Sequence, residues 1–175
     1  MNHILNNAQI SKAINRLCFE IIENHQNLDN TVIIGLQPRG IFFSNKIVDG
    51  LQQILPTIKI NYGKLDITFY RDDVRQTLHL ANKTDIPFSI EQKNVIIIDD
   101  VLFTGRTIRA ALDALLDFGR PKKVELCVLI DRRFSREFPI EANYIGRSID
   151  TFNNNKVLVR WDNDIDEGWV SVTNI

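Results

Sequence analysis

Hydrophobic residues recur along this chain with two periods, and the two periods alternate. Three segments carry apolar residues at the three-to-four-residue spacing of an amphipathic helix, whereas the segments between them carry the short apolar or alternating runs that are typical of strands. The predicted helices span 8–25, 40–53 and 106–118. The predicted strands span 31–36, 57–61, 64–70, 95–98, 124–130, 144–149, 156–161 and 169–173.

Strands that alternate with helices indicate an α/β fold, a parallel sheet with right-handed crossovers and helices on both faces. The last two predicted strands are separated only by an acidic turn at 162–168, so they predict a small β-rich C-terminal hairpin or hood. We expect a single domain over 1–175. The polar segment 71–90 follows neither period and is expected to be a mobile loop.

Composition narrows the classes of function. With 175 residues, of which 44% are hydrophobic and 25% charged, the chain can bury a full core. Its 21 Lys and Arg are balanced by 22 Asp and Glu, which does not favour an obligate nucleic-acid partner. No apolar stretch approaches the ~20 residues of a membrane span, and no secretory signal pattern is present, so a cytoplasmic location is expected. Cys18 and Cys127 lie in apolar contexts and are expected to be buried thiols.

The strongest chemical signal lies at the end of the strand 95–98. This strand delivers two adjacent carboxylates, Asp99 and Asp100, and a turn at 103–107 then leads into a helix. Backbone N–H groups at a helix start bind phosphate, and paired carboxylates suit sugar hydroxyls or a hydrated divalent cation. The run therefore predicts a site for a phosphorylated sugar.

A second loop, 35–40, follows the first buried strand and opens the next helix. It therefore lies at the carboxyl end of the predicted sheet, where ligands bind in open α/β folds. Arg39 offers a planar fork of donors to phosphate, and Gly40 lets the backbone approach closely.

The run 95–107 resembles the thirteen-residue signature of type I phosphoribosyltransferases, which bind phosphoribosyl pyrophosphate (PRPP). The resemblance implies that the acidic pair holds the ribose hydroxyls, that the turn holds the 5′-phosphate, and that the loop 35–40 holds pyrophosphate. That loop often carries a cis peptide in the family, and Pro38–Arg39 is the bond expected here. The implied PRPP-binding residues are Pro38, Arg39, Gly40, Asp99, Asp100, Val101, Phe103, Thr104, Gly105, Arg106 and Thr107. Asp99, Asp100 and Arg39 form the implied catalytic set.

The segments 63–73, 131–132, 136–140 and 144–147 narrow the resemblance to the pyrimidine-operon attenuator / uracil phosphoribosyltransferase (PyrR-type) family, over about residues 10–160. It implies that uracil and PRPP give UMP and pyrophosphate, with Mg²⁺ as cofactor near Asp99 and Asp100, indirectly held. It also implies a homo-oligomer. Some members add a UMP-sensitive RNA-binding role in the regulation of pyrimidine genes.

The RNA role depends on basic and hydroxyl residues that this chain keeps only in part. Arg136 and Arg147 are the RNA-binding candidates. The first helix carries Asn15 and Phe19 where a hydroxyl and a His are expected, and Glu141 stands where a basic residue is expected. An acid at a phosphate contact repels the polyanion. Two alternatives stay open: an RNA-binding regulator with little enzymatic role, and a purine phosphoribosyltransferase.

Overall fold

The computed structural model describes residues 2–71, 82–151, 154–162 and 167–174, which form three α-helices and eight strands. In chain order these are β1 (Asn2–Leu5), α1 (Asn7–His25), β2 (Thr31–Gln37), α2 (Gly40–Ile54), β3 (Asn61–Asp66), β4 (Asn94–Leu102), α3 (Arg106–Leu115), β5 (Lys123–Arg133), β6 (Tyr144–Asp150), β7 (Asn155–Asp162) and β8 (Glu167–Asn174). A short 3₁₀ turn, Thr68–Tyr70, follows β3. The α/β prediction is confirmed.

Five strands form a parallel sheet in the order β3-β2-β4-β5-β6. The strand order reverses between β2 and β4, and their pairing ends at Gly35 and Ile98. Beyond that point β2 continues to pair only with β3, and β4 only with β5. A crevice therefore opens between the carboxyl ends of β2 and β4, the place where open α/β sheets bind ligands.

The central strand β4 is buried on both faces, which explains its unbroken apolar run. Val95 and Ile97 join the hydrophobic cluster that α3 covers. Ile96 and Ile98 join the cluster that α1 and α2 cover on the opposite face. Each fully buried aliphatic side chain contributes roughly 1.5–3 kcal/mol. The sheet is thus held from both sides, as the alternation of periods predicts.

A smaller antiparallel sheet has the order β1-β8-β7 and packs on the α1 side of the molecule. The predicted C-terminal hairpin is confirmed as β7 and β8. Trp161 packs against the core cluster beside Val157 and Val170. Strand β1, which pairs with β8, was not predicted. It has only four residues, too few to display a period.

Two predicted strands are corrected near β3. Residues 57–61 form no strand before residue 61; Gln52 Nε2 donates to the carbonyls of Leu55 and Ile58, both at 3.1 Å, and holds this segment in a turn. The strand predicted over 64–70 ends at Asp66. The Asp66 carboxylate accepts from the Thr68 N–H at 3.0 Å and its hydroxyl at 2.7 Å, a local turn that competes with the ladder.

The structure also bears on the end of the predicted helix 106–118, the two cysteines, the loop 71–90 and membrane spans. Helix α3 ends at Leu115, and 116–118 continues as turns with i to i+3 hydrogen bonds. Cys18 and Cys127 are buried free thiols, and burial raises the pKa of Cys18 to about 11. The expected loop 71–90 falls partly outside the described residues, which resume at residue 82. None of the helices in the described ranges is long and apolar enough to cross a membrane.

Candidate functional site

The acidic pair lies where β4 separates from β2. Asp99 and Asp100 are only 6% and 8% exposed, and the Asp100 N–H donates to Asp99 Oδ1 at 2.9 Å. Burial raises the pKa of Asp99 well above its ordinary value, the Asp100 carboxylate raises it further, and the Arg39 guanidinium lowers it. Burial also raises the pKa of Asp100, which Arg39 again opposes. Two buried carboxylates are stabilised most by a ligand that brings hydroxyl donors or positive charge.

The loop after β2 lies directly against this pair. A Cβ on Gly40 would lie 2.7 Å from the Ile98 carbonyl oxygen and 3.1 Å from both Cα and Oδ1 of Asp99. Only a glycine allows the start of α2 to approach β4 so closely. Arg39 is exposed and precedes the first residue of α2.

One expectation about this loop is wrong. The cis peptide is Gln37–Pro38 and not Pro38–Arg39. A bond that precedes proline has a far smaller preference for trans than one that precedes any other residue, so the cis form falls there.

The turn at 103–107 presents the start of α3 to the same edge of the sheet. Gly105 occupies the N-cap position with φ of +90°, so no side chain caps the first turn of the helix. The Arg106 N–H lies 3.4 Å from the Thr104 hydroxyl oxygen, which is a long contact for a hydrogen bond. The first N–H groups of a helix need acceptors, and a phosphate supplies them. The structure thus brings three predicted segments to one edge, because parallel strands end there.

Arg132, at the end of the neighbouring strand β5, lies in the segment 131–132 of the resemblance but is not among the residues predicted to bind PRPP. Its side chain is almost fully buried, and its guanidinium lies 3.7 Å from the centroid of the Phe103 ring. It also donates to the Thr151 hydroxyl at 2.8 Å and the Asn155 carbonyl at 3.1 Å. The available sequence signal was its position just after the predicted strand 124–130, because adjacent parallel strands end at the same edge. In the structure Leu102 pairs with Asp131, the residue before Arg132.

The two RNA-binding candidates, Arg136 and Arg147, differ in exposure, and the three positions that depart from the RNA-binding pattern lie on the surface. Arg136 is partly buried, and its guanidinium is hydrogen-bonded within the chain. Arg147 is exposed and donates to a main-chain carbonyl of β1 at 2.8 Å. Asn15, Phe19 and Glu141 are all exposed, as a surface contact would need.

A separate polar cluster lies at the opposite, amino-terminal edge of the sheet and lines a cavity of about 380 Å³. His25 Nε2 and the Glu125 carboxylate are 2.6 Å apart, and the Tyr144 hydroxyl donates to the same carboxylate at 3.0 Å. Burial raises the pKa of Glu125, but hydrogen bonds from Lys123, His25 and Tyr144 outweigh it and lower the pKa below its ordinary value. Thr31 bonds to the other His25 ring nitrogen at 3.0 Å. Because these groups satisfy one another, the cluster is assigned to stability.

The chain is similar to known phosphoribosyltransferases in sequence and in fold. The family model described as the phosphoribosyl transferase domain matches residues 1–164. A relative from Ligilactobacillus salivarius named "Bifunctional protein PyrR" is 46% identical, over 91% of this chain and 90% of the relative. A protein of the same name from Bacillus cereus is 44% identical, over 89% of this chain and 88% of the relative.

Solved structures agree on the fold. A hypoxanthine phosphoribosyltransferase from Staphylococcus aureus matches with a TM-score of 0.69 and 23% identity, over 85% of this chain and 77% of that one. A hypoxanthine-guanine phosphoribosyltransferase from Bacillus anthracis matches with a TM-score of 0.67 and 19% identity, over 85% of this chain and 82% of that one. At these identities the likeness shows the fold alone.

Proposed function

The chain belongs to the phosphoribosyl transferase domain family, and we propose that it transfers the phosphoribosyl group of PRPP to uracil, forming UMP and pyrophosphate. One observation carries the PRPP part of the proposal: Gly40 seats the loop after β2 against the buried pair Asp99 and Asp100, beside the uncapped start of α3. Uracil as the base is supported by the resemblance to the PyrR-type family and by the 42–46% identity to proteins of that name.

The arrangement fits the charge changes of this reaction. The bond from the ribose anomeric carbon to pyrophosphate breaks, a bond from that carbon to uracil N1 forms, and the N1 proton is released. Positive charge develops on the sugar ring meanwhile, and the carboxylates of Asp99 and Asp100 stabilise it while they hold the ribose hydroxyls. Arg39 stabilises the negative charge that accumulates on departing pyrophosphate.

The remaining predicted residues surround the transferred group. The N–H groups of the turn 103–107 would bind the 5′-phosphate at the start of α3. Val101 is half-buried directly after the acidic pair and would pack against the base. Main-chain groups around 130–133, at the end of β5, would hydrogen-bond to uracil. We assign no general base.

Magnesium would be held by Asp99 and Asp100 only indirectly. Within the described ranges no group of three or more His, Cys, Asp or Glu side chains could hold a metal ion. Two adjacent buried carboxylates nevertheless fit an ion that keeps water and substrate oxygens as most of its ligands. When bound, it would neutralise charge on the pyrophosphate group.

The test is nucleotide formation from PRPP and Mg²⁺ with uracil, hypoxanthine, guanine, adenine and orotate in parallel. Selective formation of UMP is the expected result. A purine nucleotide as the main product would keep the chemistry but refute the choice of base. A protein that binds UMP yet turns over none of the bases would favour the regulator alternative.

A second candidate function, UMP-responsive binding to the RNA of pyrimidine genes, is favoured by the resemblance to the PyrR-type family together with the name "Bifunctional protein PyrR" of the relatives. We assign the contact to Arg147, which is exposed, rather than to Arg136, which is partly buried and donates to three main-chain carbonyls. RNA affinity that rises with UMP and falls steeply with salt is expected. An affinity that does not change with UMP would contradict this function.

The proposal also includes a homo-oligomer, which light scattering tests.

A further inference from the structure

The segment 136–140, called the strap here, lies directly behind the turn 103–107. The main-chain N–H groups of Glu137 and Phe138 both donate to the Thr104 carbonyl, at 2.9 and 3.1 Å. A Cβ on Gly105 would lie 3.3 Å from atoms of Phe138 and Ile140, so the strap packs tightly against the turn.

Side chains join the strap to the first residue of α3 as well. The Arg106 guanidinium donates to the Glu137 carboxylate at 2.7 Å and lies 5.6 Å from the centroid of the Phe138 ring. The strap therefore contacts the turn through main-chain hydrogen bonds, apolar packing and an ion pair.

Arg136 ties the strap to two further segments. Its guanidinium donates to the carbonyls of Phe103 at 2.5 Å, Arg132 at 2.8 Å and Ile140 at 3.0 Å. It also pairs with the buried carboxylate of Asp131. One side chain thus links the start of the turn, the end of β5 and the end of the strap.

These bonds determine which way the turn directs its N–H groups. In a trans peptide the C=O and the following N–H lie in one plane and point in opposite directions. Arg136 holds the Phe103 carbonyl on the side of the turn that faces the strap, so the Thr104 N–H points away from the strap. The amides of Glu137 and Phe138 hold the Thr104 carbonyl on that same side, so the Gly105 N–H also points away from the strap.

We propose that Arg136 is a positioning residue that shapes the turn 103–107 for the 5′-phosphate of the substrate. The inference rests on the proposed function, because that function places a phosphate at this turn. Arg136 does not touch the substrate. It supplies the donor without which the Phe103 carbonyl would lack its partner and the peptide plane could rotate.

This role predicts a defect in binding rather than in the chemical step. The 5′-phosphate is held equally in the ground and transition states, so a poorly shaped turn raises the PRPP KM and leaves kcat nearly unchanged. The KM for uracil should not change. A merely structural role for Arg136 would not separate these constants in this way.

The experiment compares Arg136→Ala and Arg136→Lys with the control Arg16→Ala. Arg16 also donates to two main-chain carbonyls, those of Ile145 and Gly146 at 3.0 and 2.8 Å, but it lies on α1, away from the turn. The Arg136 variants should raise the PRPP KM by about 10- to 100-fold, the range expected for weakened hydrogen bonds to a charged group. Arg16→Ala should stay within about twofold of wild type.

Calorimetric titration with ribose 5-phosphate keeps this test separate from the proposed function, because the probe carries the 5′-phosphate and needs no base. Arg136→Lys retains a charge beside Asp131, so it gives a folded variant if the alanine variant unfolds. Wild-type UMP synthesis with unchanged phosphate affinity in both Arg136 variants would overturn the inference alone. Weakened binding in those variants, in a protein that makes no UMP, would refute the function alone. A wild-type protein that does not bind ribose 5-phosphate would overturn the inference too.

Discussion

Replacing Gly40 with alanine is the substitution that most sharply tests how the site is assembled. The added Cβ would lie 2.7 Å from the main-chain oxygen of Ile98 and 3.1 Å from Asp99 Cα. Both neighbours belong to the backbone of the central strand, which is buried on both faces and cannot rotate away. The start of α2 must therefore retreat by about half an ångström to reach the ~3.3 Å of an ordinary C···O contact.

The effects on stability and on activity should differ widely. Alanine favours a helix over glycine by about 1 kcal/mol, whereas overpacking costs about 1–3 kcal/mol. The net loss of stability is then at most about 2 kcal/mol, which lowers Tm by less than about 8 °C. The retreat moves Arg39 away from the acidic pair, and because a 1 Å misplacement costs about 100-fold, kcat/KM for PRPP should fall by about 10- to 100-fold.

The assay measures initial rates of UMP formation against PRPP concentration, with thermal unfolding of the same samples. Gly50→Ala is the matched control on α2, because its Cβ would meet only side-chain atoms, the nearest being Cys18 Sγ at 2.8 Å. That variant should keep activity within about twofold. If Gly40→Ala retained wild-type kcat/KM, the close approach of the two loops would have no role in catalysis.

Three further predictions concern charge. Asp100→Asn should abolish turnover while Tm is kept or raised, because it removes a buried charge; retained turnover would remove Asp100 from the catalytic set. Arg39 lowers the pKa of Asp99 and of Asp100, so Arg39→Ala should raise both pKa values and shift the acid limb of the pH profile of kcat/KM to higher pH. An acid limb at the wild-type pH would refute that electrostatic coupling. The folded-state pKa of Glu125 is lowered, so its stabilising contribution is present above the unfolded pKa of about 4.3 and is lost as pH falls through the folded value. Urea unfolding of Glu125→Gln should therefore show lower stability near neutral pH and convergence with wild type in acid, whereas parallel curves would contradict this.

The parts of the site that could be predicted from sequence are those carried by consecutive residues. The apolar run 95–98, buried on both faces, predicts a strand that leads directly into the acidic pair. In the structure that strand continues through Asp99 and Asp100 to Leu102, and the turn follows it. The loop at Arg39 could be placed beside it because parallel strands end at one edge. The fold followed from the same periods.

The contacts that hold the turn 103–107 in place could not be predicted, because they join segments that are far apart in the sequence. Arg136 bonds to Phe103, 33 residues earlier in the chain, and no periodic pattern relates the two. The family resemblance of the segment 136–140 instead indicates an RNA contact for Arg136. The strand expected at 57–61 failed for a similar reason, since the Gln52 side chain determines that turn.

The most direct test of the central claim is a crystal structure of the protein with PRPP and Mg²⁺. We predict the 5′-phosphate on the N–H groups of 104–107, the ribose hydroxyls on Asp99 and Asp100, and the pyrophosphate beside Arg39. PRPP bound elsewhere, for example in the cavity lined by His25 at the opposite edge of the sheet, would contradict the account.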